Sequence, residues 1–219
     1  MIKYAKIINQ ETGLVEVGLG TNTEFYKSIG MIELDVQQSD IDNNWYLADK
    51  CPMKTNEERE KEERKRLDNL SMTRGDVFEA LILAKGLTKP QIRAMIEQAE
   101  LDDITKALYL NRFDEALEFY RGYPIFDMLG QALGVTGAML DMFFDTKDYH
   151  YLTTCKLTIN PIPAEATVTG AGDYPYGTIV DVVVECEGYI THTETVTLTE
   201  DKTLNITLDE VVNETNINL

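Results

Sequence analysis

The acidic side chains of this sequence are the first candidates for chemistry, because a carboxylate with a tuned pKa serves as a general acid or base. Asp102, Asp103 and Asp141 lie in or beside predicted helices. Such positions are typical of residues that begin a helix or lie on a solvated face, and neither role needs a pocket. We therefore predict no catalytic residue among them.

Carboxylates also bind hard cations, and Asp181, Glu185 and Glu187 lie near predicted turns. Their spacing lacks the dense Asp-x-Asp repeat of a calcium loop. The two histidines, His150 and His192, and the three cysteines do not have the spacing of a zinc site. The sequence predicts no metal site and no cofactor.

Motifs for covalent or nucleotide chemistry are missing from the sequence. It contains no Gly-x-Ser-x-Gly elbow and no His-Glu-x-x-His pair. The segment "GLGTN" at 18–22 has too few glycines for a phosphate loop and no lysine after it, so it indicates a turn at the end of a strand. We expect a protein that is not an enzyme.

The charge balance limits the partners. The 219 residues include 38 acidic and 20 basic side chains, a formal net charge of −18. Nucleic acid and anionic membranes are not expected partners, because binding phosphates needs clustered lysine and arginine. One alternative is an acidic DNA mimic, whose carboxylates would line one face. The N-terminus has no apolar core of signal-peptide length, so synthesis in the cytoplasm is expected.

Residues 1–54 are predicted to form a small β-rich domain with three or four strands. Gly13 suits a hairpin turn that needs a positive φ, and Phe25, Trp45 and Tyr46 are the expected core. The segment 55–70 is dominated by glutamate, lysine and arginine. It predicts a charged helical linker with no apolar stripe.

Residues 71–148 carry apolar positions at helical spacing and predict an all-helical domain. Thr73 and Gly86 are expected to cap its first helix, and Thr88 with Gln91 to open the second. A longer helix is expected from about Asp103 through Leu117 and Phe119 towards Gly122. The methionines on the apolar stripes are expected to fill the core: Met95, Met128, Met139 and Met142.

Residues 152–210 alternate between apolar and polar side chains in short runs, which predicts a small β-sandwich with Pro161 and Pro163 breaking its first strand. Val180, Val182 and Val184 are expected on one buried face. Residues 211–219 form a polar tail. The fold class is therefore α+β and multidomain, and whether Cys155 and Cys186 pair stays open.

The segments "LTINPIPAEATVTG", "YGTIVDVVVECEGY" and "ETVTLTEDKTLNITL" resemble the PEGA-type, immunoglobulin-like surface domain. The resemblance covers about a quarter of the chain and implies an Ig-like sandwich. In place of that family's Asn-Gly hairpin, this sequence has "GAGDYPYG". Asp173, Tyr174 and Tyr176 in this segment are the candidates for ligand contact, since an aromatic ring could stack on a sugar; alternatively, they only fill the turn.

PEGA-type modules are frequent on bacterial surfaces and in phage virion proteins, and the segments "YAKIINQETGLVEVGLGTNTEFYKSIGM" and "RGDVFEALILAKGLTKPQIRAMIE" resemble products of phage tail gene clusters. The resemblance implies a virion structural protein of the tail tip, baseplate or fibre region, multimeric within the particle. Its expected partners are other phage structural proteins and host surface glycans. A tail-fibre assembly factor and a head-decoration protein are the alternatives.

Overall fold

The computed structural model describes residues 1–211, and the chain divides into two compact units, Met1–Lys65 and Arg66–Leu219. Helices and several separate β-sheets both occur, as the α+β prediction requires. Of the predicted polar tail 211–219, all residues after Val211 lie outside the described part of the chain.

The first unit contains a closed four-stranded barrel with the strand order β1-β2-β4-β3. Its strands are β1 (Ile2–Ile7), β2 (Leu14–Val17), β3 (Ile32–Gln38) and β4 (Trp45–Leu47), and a short helix, α1 (Thr23–Ser28), connects β2 to β3. Gly13 takes a φ of +75° in the turn between β1 and β2. The predicted role of this glycine is confirmed.

The barrel core is built mainly from residues other than those predicted. Ala5, Val15 and Val36 are its buried members, and Trp45 packs against them. The prediction that Phe25 lies in this core is wrong, because Phe25 is 53% exposed. Helix α1 packs through the neighbouring Tyr26, whose hydroxyl accepts a hydrogen bond from the backbone N–H of Gly20.

The glycines of "GLGTN" make room for the Tyr26 ring. A Cβ atom on Gly18 would lie 2.7 Å from this ring, closer than real Cβ contacts allow. Gly20 would meet the Tyr26 hydroxyl oxygen at 2.8 Å. The glycines of this segment therefore serve the packing of an aromatic ring.

Helix α2 (Asn56–Asp68) has no buried residue, as the charge pattern predicts. It begins with a reciprocal cap in which the Thr55 N–H donates to Glu58 Oε2 at 2.8 Å and the Glu58 N–H donates to Thr55 Oγ1 at 3.2 Å. Asp40 of the barrel unit accepts hydrogen bonds from the Lys54 N–H and from Arg59 Nε. The start of the helix is thus attached to the segment that follows β3.

The middle of the chain forms five helices and a two-stranded sheet. In order these are β5 (Ser71–Thr73), α3 (Arg74–Lys85), α4 (Lys89–Gln98), α5 (Asp103–Glu115), β6 (Glu118–Tyr120), α6 (Pro124–Leu133) and α7 (Gly137–Thr146). The predicted caps of α3 are confirmed, since Thr73 Oγ1 accepts from the Asp76 N–H and Gly86 is left-handed. Gln91 Oε1 accepts from the Thr88 N–H at 2.9 Å and so opens α4.

The long helix predicted from Asp103 to the region of Phe119 is wrong at its C-terminal end. Helix α5 ends at Glu115, because Ala116 is extended and the Leu117 carbonyl accepts a hydrogen bond from the Arg74 N–H. Strand β6 then pairs antiparallel with β5, which places Phe119 in the core. Residues 71–148 are consequently not all helical.

A cluster of phenylalanine rings lies in the core of this region. Phe126 contacts Phe119 and Phe144 with centroid distances of 5.6 and 5.0 Å, and Phe143 lies 5.3 Å from Phe144. Met139 is buried there as predicted, whereas Met142 is 41% exposed, contrary to the prediction. Met142 precedes two core phenylalanines on α7 and therefore points to another side of the helix.

The C-terminal strands form two three-stranded sheets around one apolar core. The strands are β7 (Thr154–Ile162), β8 (Thr167–Thr169), β9 (Gly172–Pro175), β10 (Thr178–Glu185), β11 (His192–Leu198) and β12 (Lys202–Thr207). The sheet orders are β11-β10-β8 and β12-β7-β9, and β12 pairs parallel with β7. Val180, Val182 and Val184 are buried on one face of β10, as their alternation predicts.

Pro161 does not break the first strand, contrary to the prediction. It lies within β7 and is paired in register with Ile206 of β12. Strand β9 pairs only with Thr154–Leu157, so β7 has no partner on its other side at the proline, where a missing N–H costs no ladder bond. Cys155 and Cys186 both pack in this core and are free thiols.

Candidate functional site

The three predicted ligand residues do not lie together in an open tip loop. Asp173 and Tyr174 belong to strand β9, which pairs with Lys156 and Cys155 of β7, and Tyr176 lies in the turn after this strand. The loop prediction is wrong because the extended backbone of "GDYP" adds a strand to the β7 sheet.

The Tyr174 side chain makes its contacts within the fold. Its ring packs against the core of the two sheets, and its hydroxyl donates to the Gly170 carbonyl oxygen at 3.0 Å. Asp173 is exposed on the opposite face of β9, as expected for successive residues of a strand. The two side chains therefore cannot contact one ligand together.

Tyr176 belongs to an aromatic stack that sequence reasoning missed. The ring of His150 lies between Tyr149, at a centroid distance of 4.1 Å, and Tyr176, at 5.1 Å, and both pairs are nearly parallel. Tyr151 meets Tyr176 edge-on at 5.3 Å. Burial, and then the charge of Asp148, raise the pKa of Tyr176. One face of the predicted sugar-stacking ring is thus covered by His150.

Asp148 fixes the central ring of this stack. Its Oδ1 atom accepts from the His150 backbone N–H at 3.0 Å and lies 2.6 Å from His150 Nδ1. The backbone hydrogen bond is the main reason that the pKa of Asp148 is lowered, with the His150 side chain contributing after it. The carboxylate therefore begins the 3₁₀ helix Tyr149–Leu152 and orients its histidine.

We expect the Asp148 carboxyl group to titrate below its ordinary pKa of 3.8. Because the folded pKa is lowered, the stabilisation by Asp148 is complete above the unfolded pKa and is lost as the pH falls through the folded pKa. Carboxyl NMR titration measures this midpoint directly. In Asp148→Asn, this part of the acid-induced loss of stability should disappear. A midpoint at or above 3.8 would contradict the hydrogen bonds described for this carboxylate.

A surface groove of about 260 Å³ adjoins the aromatic stack. Its lining comes from β5, from one face of α3, and from the segment after α7: Met72, Asp76, Glu79, Ala80, Leu83, Lys147 and Tyr149. Buried Met72 and Ala80 give it an apolar floor. The groove thus combines an apolar surface, an aromatic ring and charged groups of both signs, the composition of many ligand sites.

Arg121 is the centre of a buried ionic network that sequence reasoning also missed. Arg121 is 4% exposed. Its Nε atom lies 2.7 Å from Asp141 Oδ1, and its Nη1 atom lies 3.0 Å from Asp127 Oδ1. Nη2 donates to the Gly137 carbonyl oxygen at 3.3 Å. The expectation that Asp141 lies on a solvated face is wrong, because its carboxylate is half-buried against Arg121.

The other acidic candidates have structural positions. Asp102 is the N-cap of α5 and accepts from the N–H groups of Ile104 and Thr105, as expected for a residue that begins a helix. Asp181 accepts from the Thr195 hydroxyl across two strands. Asp181 and Glu185 are four residues apart on β10, about 13 Å, too far to share one ion. Within residues 1–211, no group of three or more metal-ligating side chains comes together.

The aromatic run "DYHYL" at 148–152 is the sequence pattern that could have indicated the stack. Three consecutive aromatic residues between a predicted helix and a predicted strand indicate a packed junction. The pattern gives no indication that Tyr149 also borders a groove, because that depends on how the 3₁₀ helix packs on α3. The groove was therefore visible only in the structure.

Comparison with protein-family models, with curated proteins and with solved structures gave no match to this chain. In the part of the chain that the structure describes, no helix combines the length and the apolar character needed to cross a bilayer.

Proposed function

We propose that this chain is a non-enzymatic structural protein of a phage virion, from the tail tip, baseplate or fibre region. In this role the N-terminal barrel and the helical part contact neighbouring particle proteins. The C-terminal strands form an Ig-like sandwich of the PEGA type that is displayed towards the host surface, where repeated copies give weak contacts avidity.

The two C-terminal sheets are the observation that carries this proposal. The three segments that resemble the PEGA-type domain supply strands to both sheets and share one core. Two sheets that pack face to face over alternating apolar residues are the architecture of a sandwich. The parallel pairing of β7 with β12 ties the first strand of the module to the last.

Structural roles of the charged groups support the non-enzymatic part of the proposal. Asp102 caps a helix, Asp141 binds buried Arg121, and Asp148 orients His150. Docking to neighbours is supported by exposed apolar side chains one turn apart on α5, where Ile104 is 74% and Leu108 is 62% exposed. Apolar pairs of this kind favour burial against another surface.

Mass spectrometry of purified particles from the phage that encodes this chain tests the proposal. We expect the chain in the particle at a fixed ratio to the tail proteins, in the tail fraction after heads and tails are separated. Presence in the head fraction alone would indicate a head-decoration protein. Presence in infected cells but not in particles would indicate an assembly factor. Both of these results would overturn the proposal.

A further inference from the structure

We infer that the groove beside Tyr149 is a docking site for a basic side chain, lysine or arginine, on an exposed segment of a neighbouring particle protein. The identity of the neighbour rests on the proposed function. The preference of the groove for a cation does not, because it follows from the residues that line it.

One face of α3 supplies the wall of the groove. Asp76, Glu79, Ala80 and Leu83 follow the spacing i, i+3, i+4 and i+7, so they lie along the same side of the helix. Among residues 1–211, no ion pair or side-chain hydrogen bond engages the carboxylates of Asp76 and Glu79. Two exposed carboxylates are thus available on this wall, one turn apart.

The floor suits the stem of a basic side chain. Met72 and Ala80 are each 5% exposed, and Leu83, which is 56% exposed, extends this apolar surface outwards. Lysine and arginine lay their methylene groups on such surfaces while the charged end stays near water or an anion. An apolar floor next to two carboxylates therefore matches both parts of a basic side chain.

Tyr149 adds an aromatic surface to the groove. His150 stacks on this ring at 4.1 Å and Asp148 holds His150, so the position of the ring is fixed before a ligand arrives. Aromatic rings attract ammonium and guanidinium groups, and a fixed ring loses little conformational freedom on binding. The excess of acidic residues in the chain, with a net charge of −18, favours the approach of a basic partner.

Lys147 lines the same groove and carries the opposite charge, so it distinguishes a cationic from an anionic ligand. A cationic ligand is repelled by Lys147 and attracted by Asp76 and Glu79. An anionic ligand has the reverse preferences. The effects of changing these residues therefore have opposite signs for the two kinds of ligand.

NMR titration of the full chain with the peptide acetyl-Gly-Arg-Gly-amide tests the charge preference. We expect shifts at the amides of Asp76, Glu79 and Tyr149, and a weaker response to the same peptide carrying neutral citrulline. Asp76→Asn with Glu79→Gln should weaken binding about tenfold, the loss expected for charge-assisted contacts at an open site. Binding should also weaken with added salt.

Two further variants complete this titration. Lys147→Asn should bind the arginine peptide more tightly, and asparagine tolerates the left-handed backbone with a φ of +60° at this position. Glu115→Gln, an exposed change on α5 away from the groove, should bind like the natural chain. Weaker binding by Lys147→Asn, equal binding of the citrulline peptide, or no binding would overturn the inference.

Carbodiimide cross-linking of purified particles identifies the neighbour. We expect Asp76 or Glu79 to be joined to a lysine of another particle protein. If the contact is an arginine, we expect the Asp76→Asn/Glu79→Gln chain to be depleted from particles. If the chain is absent from particles, the proposed function fails while the peptide result stands. If the chain is present but the peptide does not bind, only the groove inference fails.

Discussion

Replacing Arg121 by methionine is expected to lower the free energy of unfolding of the Arg66–Leu219 unit by about 3 kcal/mol, the cost typical of removing one partner of a buried ion pair. Methionine keeps an unbranched apolar stem in place of the arginine methylene groups, so part of the packing remains. The carboxylate of Asp141 loses its contact with Arg121 Nε, and the Gly137 carbonyl loses a donor. Urea unfolding followed by circular dichroism measures the change.

Two companion variants separate charge from packing at this site. Asp127→Asn removes the Arg121 partner whose side chain is 61% exposed, and an exposed ion pair contributes about 1 kcal/mol or less. Arg121→Met with Asp141→Leu removes both charges and should recover much of the loss. If Arg121→Met costs no more than Asp127→Asn, water solvates Asp141 and the network does not hold α6 and α7 together.

Local signals made much of the fold predictable. The caps Thr73 and Gly86 and the turn at Gly13 depend on backbone geometry within a few residues, which sequence shows directly. The alternation of Val180, Val182 and Val184 defined the buried face of β10 in the same way. These predictions, which needed only near neighbours, were confirmed.

Contacts between distant segments account for the errors. Helix α5 ends early because β6 pairs with β5, a strand that lies more than forty residues before it. Pro161 is accepted in β7 because β9 pairs only with the first residues of that strand, so the missing N–H costs no ladder bond. Tyr26, and not Phe25, packs against the backbone of Gly18, where a side chain would leave no room for the ring. None of these three features can be predicted from the local hydrophobic pattern.

The candidate site was only partly predictable for a related reason. The sequence drew attention to Tyr176 as an aromatic residue in an unusual segment, but its neighbour in the stack, His150, precedes the first strand of the sheets. The groove combines the α3 face with Lys147 and Tyr149, which are about seventy residues further along the chain. Assembling it requires the packing of the 3₁₀ helix on α3, and sequence spacing does not contain that information.

Truncating Phe144 to alanine is expected to cost about 3–5 kcal/mol of unfolding free energy, the range for removing a buried phenylalanine ring. Phe144 is 1% exposed and contacts Phe126 and Phe143 edge-to-face, so the variant leaves a cavity that neighbouring rings cannot fill without moving. The matched control, Met142→Ala on the same helix, removes a 41% exposed side chain and should cost about 1 kcal/mol or less.

Urea unfolding of both variants, with hydrogen exchange at the amides of α6 and α7, measures this difference. The Phe144→Ala chain should exchange faster throughout both helices, because the ring joins them through Phe126. The Met142→Ala chain should retain the natural protection. Equal costs for the two variants would mean that the aromatic cluster does not determine the stability of this part of the chain.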